Sequence, residues 1–235
     1  MPPIAKPRDA ASLLLLKKKG SGGLSVLMGR RPPASAFIPD AFVFPGGKVD
    51  PDDRRAPCPL PLAPVTERAV RTSASVSETA ARALAHAAIR ETYEETGLFV
   101  ARPAEFRAPG SGTWREFEAR GLAPDHAALG LIGRAITPSV SPVRFHARFF
   151  VANANAARGE LRSNDELLDL AWYSLEEALR LPIIDVTRFM LEEARAFAAG
   201  PPRPGLGGQP GRRLFVHYRG EKPVITYESG SDSPR

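Results

Sequence analysis

Two apolar runs open the chain. Residues 10–16 and 24–30 flank Gly20, Ser21, Gly22 and Gly23, a pattern that predicts two strands joined by a turn. Residues 41–44 form a short apolar strand stopped by Pro45, Gly46 and Gly47. Farther along, residues 129–136 and 144–151 read as strands, the second alternating Phe145, Ala147, Phe149 and Val151. Residues 170–173 make another strand, and 214–218 with 224–227 a terminal hairpin. Helical spacing appears first at Ala81, Leu84, Ala85, Ala88 and Thr92, after the N-cap candidate Ser77 and before the stop signal Gly97. Residues 114–120 read as a short helix. Ser174 caps a helix beginning Leu175, Glu176, Glu177, and Thr187 caps a last one running to Ala199.

One stretch breaks this rhythm. Residues 48–76 hold Pro51, Pro57, Pro59, Pro61 and Pro64 beside a charged cluster, and read as a long loop with room for one helical turn. Structureless loops of that length are uncommon in compact domains. Residues 201–211 read as a Pro/Gly linker. Strands and helices interleave without regular βαβ spacing, which predicts an α+β fold or a mixed sheet layered with helices. Residues 1–235 are expected to form a single domain, with an insertion at about 54–76 and a C-terminal extension from about 200.

Composition narrows the class. With 43% hydrophobic and 25% charged residues, the chain suits a globular protein. No apolar run approaches the roughly 18 residues of a membrane helix, so no membrane partner is expected. The lone cysteine, Cys58, excludes an intramolecular disulfide and a cysteine-rich metal site, and a cytoplasmic setting is the simplest expectation. Net charge is +6, but the arginines are dispersed, so no dedicated nucleic-acid surface is expected. A homodimer and a monomer both stay open.

Chemistry concentrates in residues 90–98, RETYEETGL. Glu91, Glu94 and Glu95 stand at i, i+3 and i+4, which places them in one stripe of a helix. Such like charges repel by a few tenths of a kcal/mol per pair, and the negative helix C-terminus worsens the arrangement. A hard divalent cation would reverse that sign. Taken alone, three clustered glutamates read more readily as a solvated acidic face with Arg90 as ion-pair partner.

The stretch Arg90-Glu91-x-x-Glu94-Glu95-x-Gly97-Leu98, after an upstream Phe44-Pro45-Gly46-Gly47, resembles the Nudix box, and the similarity covers most of residues 10–200. Two departures stand out. Some forty residues separate Gly47 from Arg90, and the box's first glutamate is missing. Counted back from Arg90, its place holds Arg82, which points nearly opposite the carboxylate stripe. Counted forward from Gly47, it holds Asp53. The split box, with 42–47 (FVFPGG), 136–138 (ITP) and 144–150 (RFHARFF), is similar to the Nudix subgroup of peroxisomal coenzyme A diphosphatases and their bacterial relatives.

The resemblance implies a Nudix αβα sandwich with a mixed central sheet, and a hydrolase of diphosphate linkages. Gly46 would offer its carbonyl, and Glu91, Glu94 and Glu95 their carboxylates, to Mg²⁺ or Mn²⁺. Arg90 would orient Glu91. Glu166, a few residues before Trp172, would supply a further carboxylate as base or ligand, with Asp165 and Asp169 as rivals. Arg30 and Arg31 would contact phosphates, although solvated arginines after a strand are common. His86 reads as structural, and His126 and His146 lack a visible partner. The implied partner is a small nucleoside diphosphate derivative, with coenzyme A or acyl-coenzyme A foremost. An ADP-sugar, a dinucleotide, capped RNA, or a silent nucleotide-sensing role are the alternatives.

Overall fold

Four consecutive leucines supply both faces of one central strand. In strand β1 (Arg8–Lys18), Leu13 and Leu15 enter one core and Leu14 and Leu16 the other. Successive side chains of a strand point to opposite faces, so an unbroken apolar run marks a strand covered on both sides. Strand β2 (Leu24–Arg30) repeats the division, Leu27 against Val26 and Met28. The computed structural model describes residues 4–18, 20, 23–110, 112–199 and 212–229. Ser21 and Gly22 of the expected turn, and the expected 201–211 linker, lie outside the described residues.

The chain continues through β3 (Phe42–Val43), β4 (Gly46–Lys48), α1 (Pro51–Arg55), α2 (Pro64–Ala74) and α3 (Glu78–Thr96). It then forms β5 (Phe99–Pro103), α4 (Thr113–Ala119), β6 (Leu122–Pro124), β7 (Gly130–Ile136) and β8 (Phe145–Asn153). Last come β9 (Ala157–Arg158), β10 (Leu168–Ser174), α5 (Leu175–Ala178), α6 (Asp185–Ala199), β11 (Arg212–Arg219) and β12 (Lys222–Ser229). The main sheet runs β10-β2-β1-β8-β7-β11-β12, with β3 on β2 and β4 on β1. Pairs β1–β8 and β7–β11 are parallel and the others antiparallel, so the sheet is mixed.

One face of the sheet packs against α2 and α3 through Val70, Leu84, Ala88 and Ile89. The opposite face packs against α5 and α6 through Leu175, Met190, Leu191 and Ala194. This is the expected αβα sandwich. A small sheet, β6-β5-β9, flanks it and was not expected. Among the described residues, no helix is long and apolar enough to cross a membrane.

The local signals around α3 operate as read. Ser77 Oγ accepts from the Ala80 amide, and Gly97 ends the helix at φ 74°, its amide donating to the Tyr93 carbonyl. Ser174 caps α5 with Glu177 in a capping box. Thr187 does not cap α6, which begins two residues earlier, at Asp185. Thr187 lies buried in the first turn.

The largest correction concerns residues 48–76. They fold into α1 and α2 and not into a loop. Pro51 and Pro64 each stand at the start of a helix, where the missing N–H leaves no bond unmade. Nor is the insertion a surface excursion. Ala56, Leu62, Ala69 and Val70 are buried in the core beside α3, and Thr66 Oγ1 donates to the Leu129 carbonyl at 3.1 Å. Leu62→Ala should therefore lower stability by about 2 kcal/mol or more, the cost of truncating a buried leucine. A urea midpoint equal to that of the parent protein would show that this segment contributes nothing to the core.

Candidate active site

Strand β1 changes partner along its length. Its end pairs with β2 at Leu16–Lys18, whereas Ala10–Ser12 pair with β4. That switch brings Gly46 and Gly47 under the C-terminal half of α3. Space dictates glycine at Gly46, where the obstacle is backbone. A Cβ on Gly47 would collide with the Glu91 carboxylate, and one on Gly46 with Ser12 and the Ala11 carbonyl. The Gly46 amide donates to Glu95 Oε2 at 2.9 Å, fixing one box carboxylate against the loop.

Glu95 and Glu91 meet this loop, whereas Glu94 is held by Arg90 and Thr113, and the three differ in burial. Glu95 is 6% exposed, and the side chains of Glu91 and Glu94 12% and 33%. Burial pushes the Glu91 carboxyl up to about 7, against the pull of Arg90 and with the charge of Glu94 adding to it. Burial, then the charge of Glu91, holds Glu95 well above the ordinary carboxylate range. The expected like-charge repulsion is thus present and is sharpened by loss of solvent.

Arg90 gathers the site. Its Nε and one terminal nitrogen donate to the two Asp53 oxygens at 3.0 Å each, a bidentate pair. It also donates to the Lys48 carbonyl at 2.9 Å and to Glu94 Oε2 at 2.7 Å, and pairs with Glu91 Oε1 at 2.9 Å. Burial opposes its charge, but Asp53, Glu91 and Glu94 together raise its pKa. Asp53, fully buried, also accepts from the Asp50 amide at 2.8 Å. Asp53, the residue reached by counting forward from Gly47, thus pairs with Arg90 across the insertion. Arg82, the residue counted back along the helix, acts electrostatically on Cys58, His86 and His126 instead.

Residues outside the box complete the surroundings. Glu94 accepts from Thr113 of α4, a partner that sequence spacing could not show. Asn164 Nδ2 donates to the Glu94 carbonyl at 2.9 Å, and Asn164 Oδ1 accepts from the Glu166 amide at 2.9 Å. This ties the loop bearing Glu166 to the end of α3. Glu166 is exposed, and its charge is felt at Glu95. Asp169 points elsewhere, pairing with Arg30 Nε at 2.7 Å.

Arg30 and Arg31 part company. Arg30 bridges Asp169 and Asp40, whose backbones both take left-handed φ values, and is not among the residues lining the cleft described next. Arg31 does line that cleft, braced by the Phe37 carbonyl at 2.8 Å, and its charge acts on Glu95. The cleft, of about 450 Å³, starts at Gly46 and Gly47 and runs over the α6 face of the sheet. Phe37, Phe44, Phe145 and Phe149 supply much of its wall, with Ile136, Thr137 and Pro138 beyond. Phe37 belongs to a segment with no periodic signal, and Tyr218 arrives from β11, so neither was legible as cleft lining.

Breaking the Asp53–Arg90 pair should be costly. Removing one partner of a buried ion pair costs about 3–5 kcal/mol, because the other charge is left uncompensated. Asp53→Ala should lose stability in that range, while Glu94→Gln, part-exposed, should change it little. Equal denaturant midpoints for Asp53→Ala and the parent protein would contradict this account.

No family model matches the chain, and no curated protein matches it by sequence. Its fold is nevertheless shared with solved structures. A NUDIX hydrolase from Alicyclobacillus acidocaldarius superposes with a TM-score of 0.64 at 28% identity, over 81% of this chain and 92% of that one. Lower similarity extends to a MutT NUDIX hydrolase from Burkholderia pseudomallei, with 21% identity, a TM-score of 0.45 and coverage of 80% and 98%. A C. elegans Ap4A hydrolase gives 17%, 0.44, and 82% and 98%. With the Gly46 amide on Glu95 and Asp53 paired to Arg90 across the insertion, the chain shares the fold of the Nudix hydrolases, enzymes acting on phosphorus-containing anhydrides.

Proposed function

We propose that the chain hydrolyses the diphosphate linkage of a nucleoside diphosphate derivative, with coenzyme A or acyl-coenzyme A as the leading substrate, and that it does so with Mg²⁺ or Mn²⁺. The observation carrying this reading is the glycine loop itself, which meets Glu91 and Glu95 of α3 on one side and lines the end of an apolar cleft on the other. The donor set fits a hard divalent cation. Its atoms are carboxylate oxygens, two of the groups are largely buried, and their mutual repulsion is relieved by added positive charge. Glu91, Glu94, Glu95 and the Gly46 carbonyl would hold it. When bound, such an ion neutralises the diphosphate and lowers the pKa of the attacking water.

The chain's own residues supply the rest. Arg90 holds Glu91 and Glu94 in place from below, anchored on Asp53. Arg31, at the cleft's polar end, attracts a phosphate. Glu166, exposed on a loop tied to the end of α3 and acting electrostatically on Glu95, is suited to take the proton of the attacking water. Segments 136–138 and 145–149, which carried the subgroup resemblance, contribute wall residues of the cleft, and that supports a substrate with an apolar or aromatic body beside its diphosphate.

A phosphate-release panel tests this reading. Coenzyme A should be cleaved with Mg²⁺ or Mn²⁺ and not in excess chelator, and loss of its 3′-phosphate should slow cleavage by a basic enzyme. Glu95→Gln should lose at least about 10²-fold in turnover while remaining folded. Full activity in chelator defeats the metal mechanism, and preference for ADP-ribose defeats the coenzyme A reading. Glu166→Gln should depress turnover by roughly 10²–10⁴, the range of general-base loss, with stability little changed. A rise in KM alone would make Glu166 a positioning group. Wild-type kinetics for Glu166→Gln together with impaired Asp165→Asn would move the role one residue back.

A further inference from the structure

Behind the box helix lies a cluster that the proposed function does not use. Cys58 from the α1–α2 connection, His86 from α3 and His126 from the one-turn 3-10 helix His126–Ala128 meet there, with one ligand atom of each within 4.8 Å of the others. Cys58 Sγ stands 2.9 Å from His126 Nδ1, and the two imidazole rings are 4.3 Å apart at their centroids. Both histidines are fully buried, and Trp114 packs edge-on against His86.

Hydrogen bonding alone does not satisfy this cluster. A neutral imidazole has one N–H and one lone pair. Both nitrogens of His86 face carbonyl oxygens, Nδ1 that of Asp53 at 3.0 Å and Nε2 that of Pro57 at 3.3 Å. One of these contacts must oppose two lone pairs. His126 Nε2 is buried without any partner among the described residues. Protonation does not resolve the conflict, because burial pushes His86 down to about 4 and holds His126 well below its usual range. Unprotonated rings with unspent lone pairs beside a thiol are what a borderline-soft cation binds.

We propose that Cys58, His86 and His126 form a second metal site, for a thiophilic divalent cation of the Zn²⁺ class, separate from the box carboxylates. Coordination replaces the long His86 Nε2–Pro57 contact and the Cys58–His126 contact. Burial pushes the Cys58 thiol up to about 11, so binding converts the thiol to a thiolate bound to the ion and releases one proton to solvent. Arg82 sets a positive charge near the cluster, and Glu67 a negative one near Cys58. Cys58, the part-exposed member, provides the route in. The bound ion would bolt the insertion to α3. It would also steady Asp53, whose carbonyl meets His86 and whose side chain holds Arg90.

The test does not depend on activity or on the function proposed above. Full-length protein stripped with chelator is titrated with Co²⁺. One equivalent should give thiolate-to-cobalt charge transfer and the visible bands of a four-coordinate ion, with water as the fourth ligand, displaced by Zn²⁺ and not by Mg²⁺. His126→Gln should weaken binding at least about tenfold. X-ray absorption of the Zn²⁺-loaded parent protein should show one sulfur at about 2.3 Å together with imidazole nitrogens at about 2.0 Å. This last measurement decides the matter even if His126→Gln does not fold. Absence of the charge-transfer band overturns the proposal. So does cobalt affinity unchanged in His126→Gln and His86→Gln, which would reveal a thiolate acting alone, or a zinc shell lacking sulfur.

Discussion

Arg90 and Asp53 are buried together beneath the glycine loop, and the geometry around them follows from that pairing. Each would be ruinous alone in a low-dielectric interior, and together they are tolerable only because every nearby acceptor is used. The guanidinium reaches Asp53 in α1, the Lys48 carbonyl in β4, and Glu91 and Glu94 on its own helix. Three elements are therefore locked to one planar group whose directions cannot be relaxed independently. The insertion interrupts the sequence between Asp53 and Arg90 without separating them in space, because its ends are held by this pair and its middle by the core.

Much of the fold was legible because its signals were local. Leu13–Leu16, Ser77, Gly97 and Ser174 each act through neighbours in sequence, and each stands where its chemistry requires. The box glutamates were legible for the same reason, since helical spacing alone aligns them. The first carboxylate position was half legible. Counting from Gly47 reached Asp53, but only the fold shows that the chain returns to it with Arg90, 37 residues later.

What was not legible depended on partners remote in sequence. Proline-rich composition suggested a loop at residues 48–76, yet Pro51 and Pro64 sit where helices accept proline, and the apolar residues between and after them find α3. Thr113 and Asn164 reach Glu94 from elements that no spacing rule links to the box. Arg30 and Arg31 are adjacent and identical in type, and differ only in which side of a strand end each faces. One became a strut between two loops and the other part of a cleft wall. His126, silent in sequence, turned out to be buried beside His86 and Cys58.

The central position of β1 has a consequence for how the chain reaches this state. Its parallel neighbour β8 lies more than half the chain away, and β7 in turn takes β11 from near the C-terminus. Bringing such distant segments together carries a loop-closure entropy before any strand contact rewards it. Folding should therefore be slow for a protein of this size, and governed by topology more than by local propensity. During synthesis, Leu13–Leu16 wait exposed, with one edge unpaired, until β8 has been made. The most apolar stretch of the finished core is thus also the segment most open to wrong pairing with other chains while the protein is incomplete.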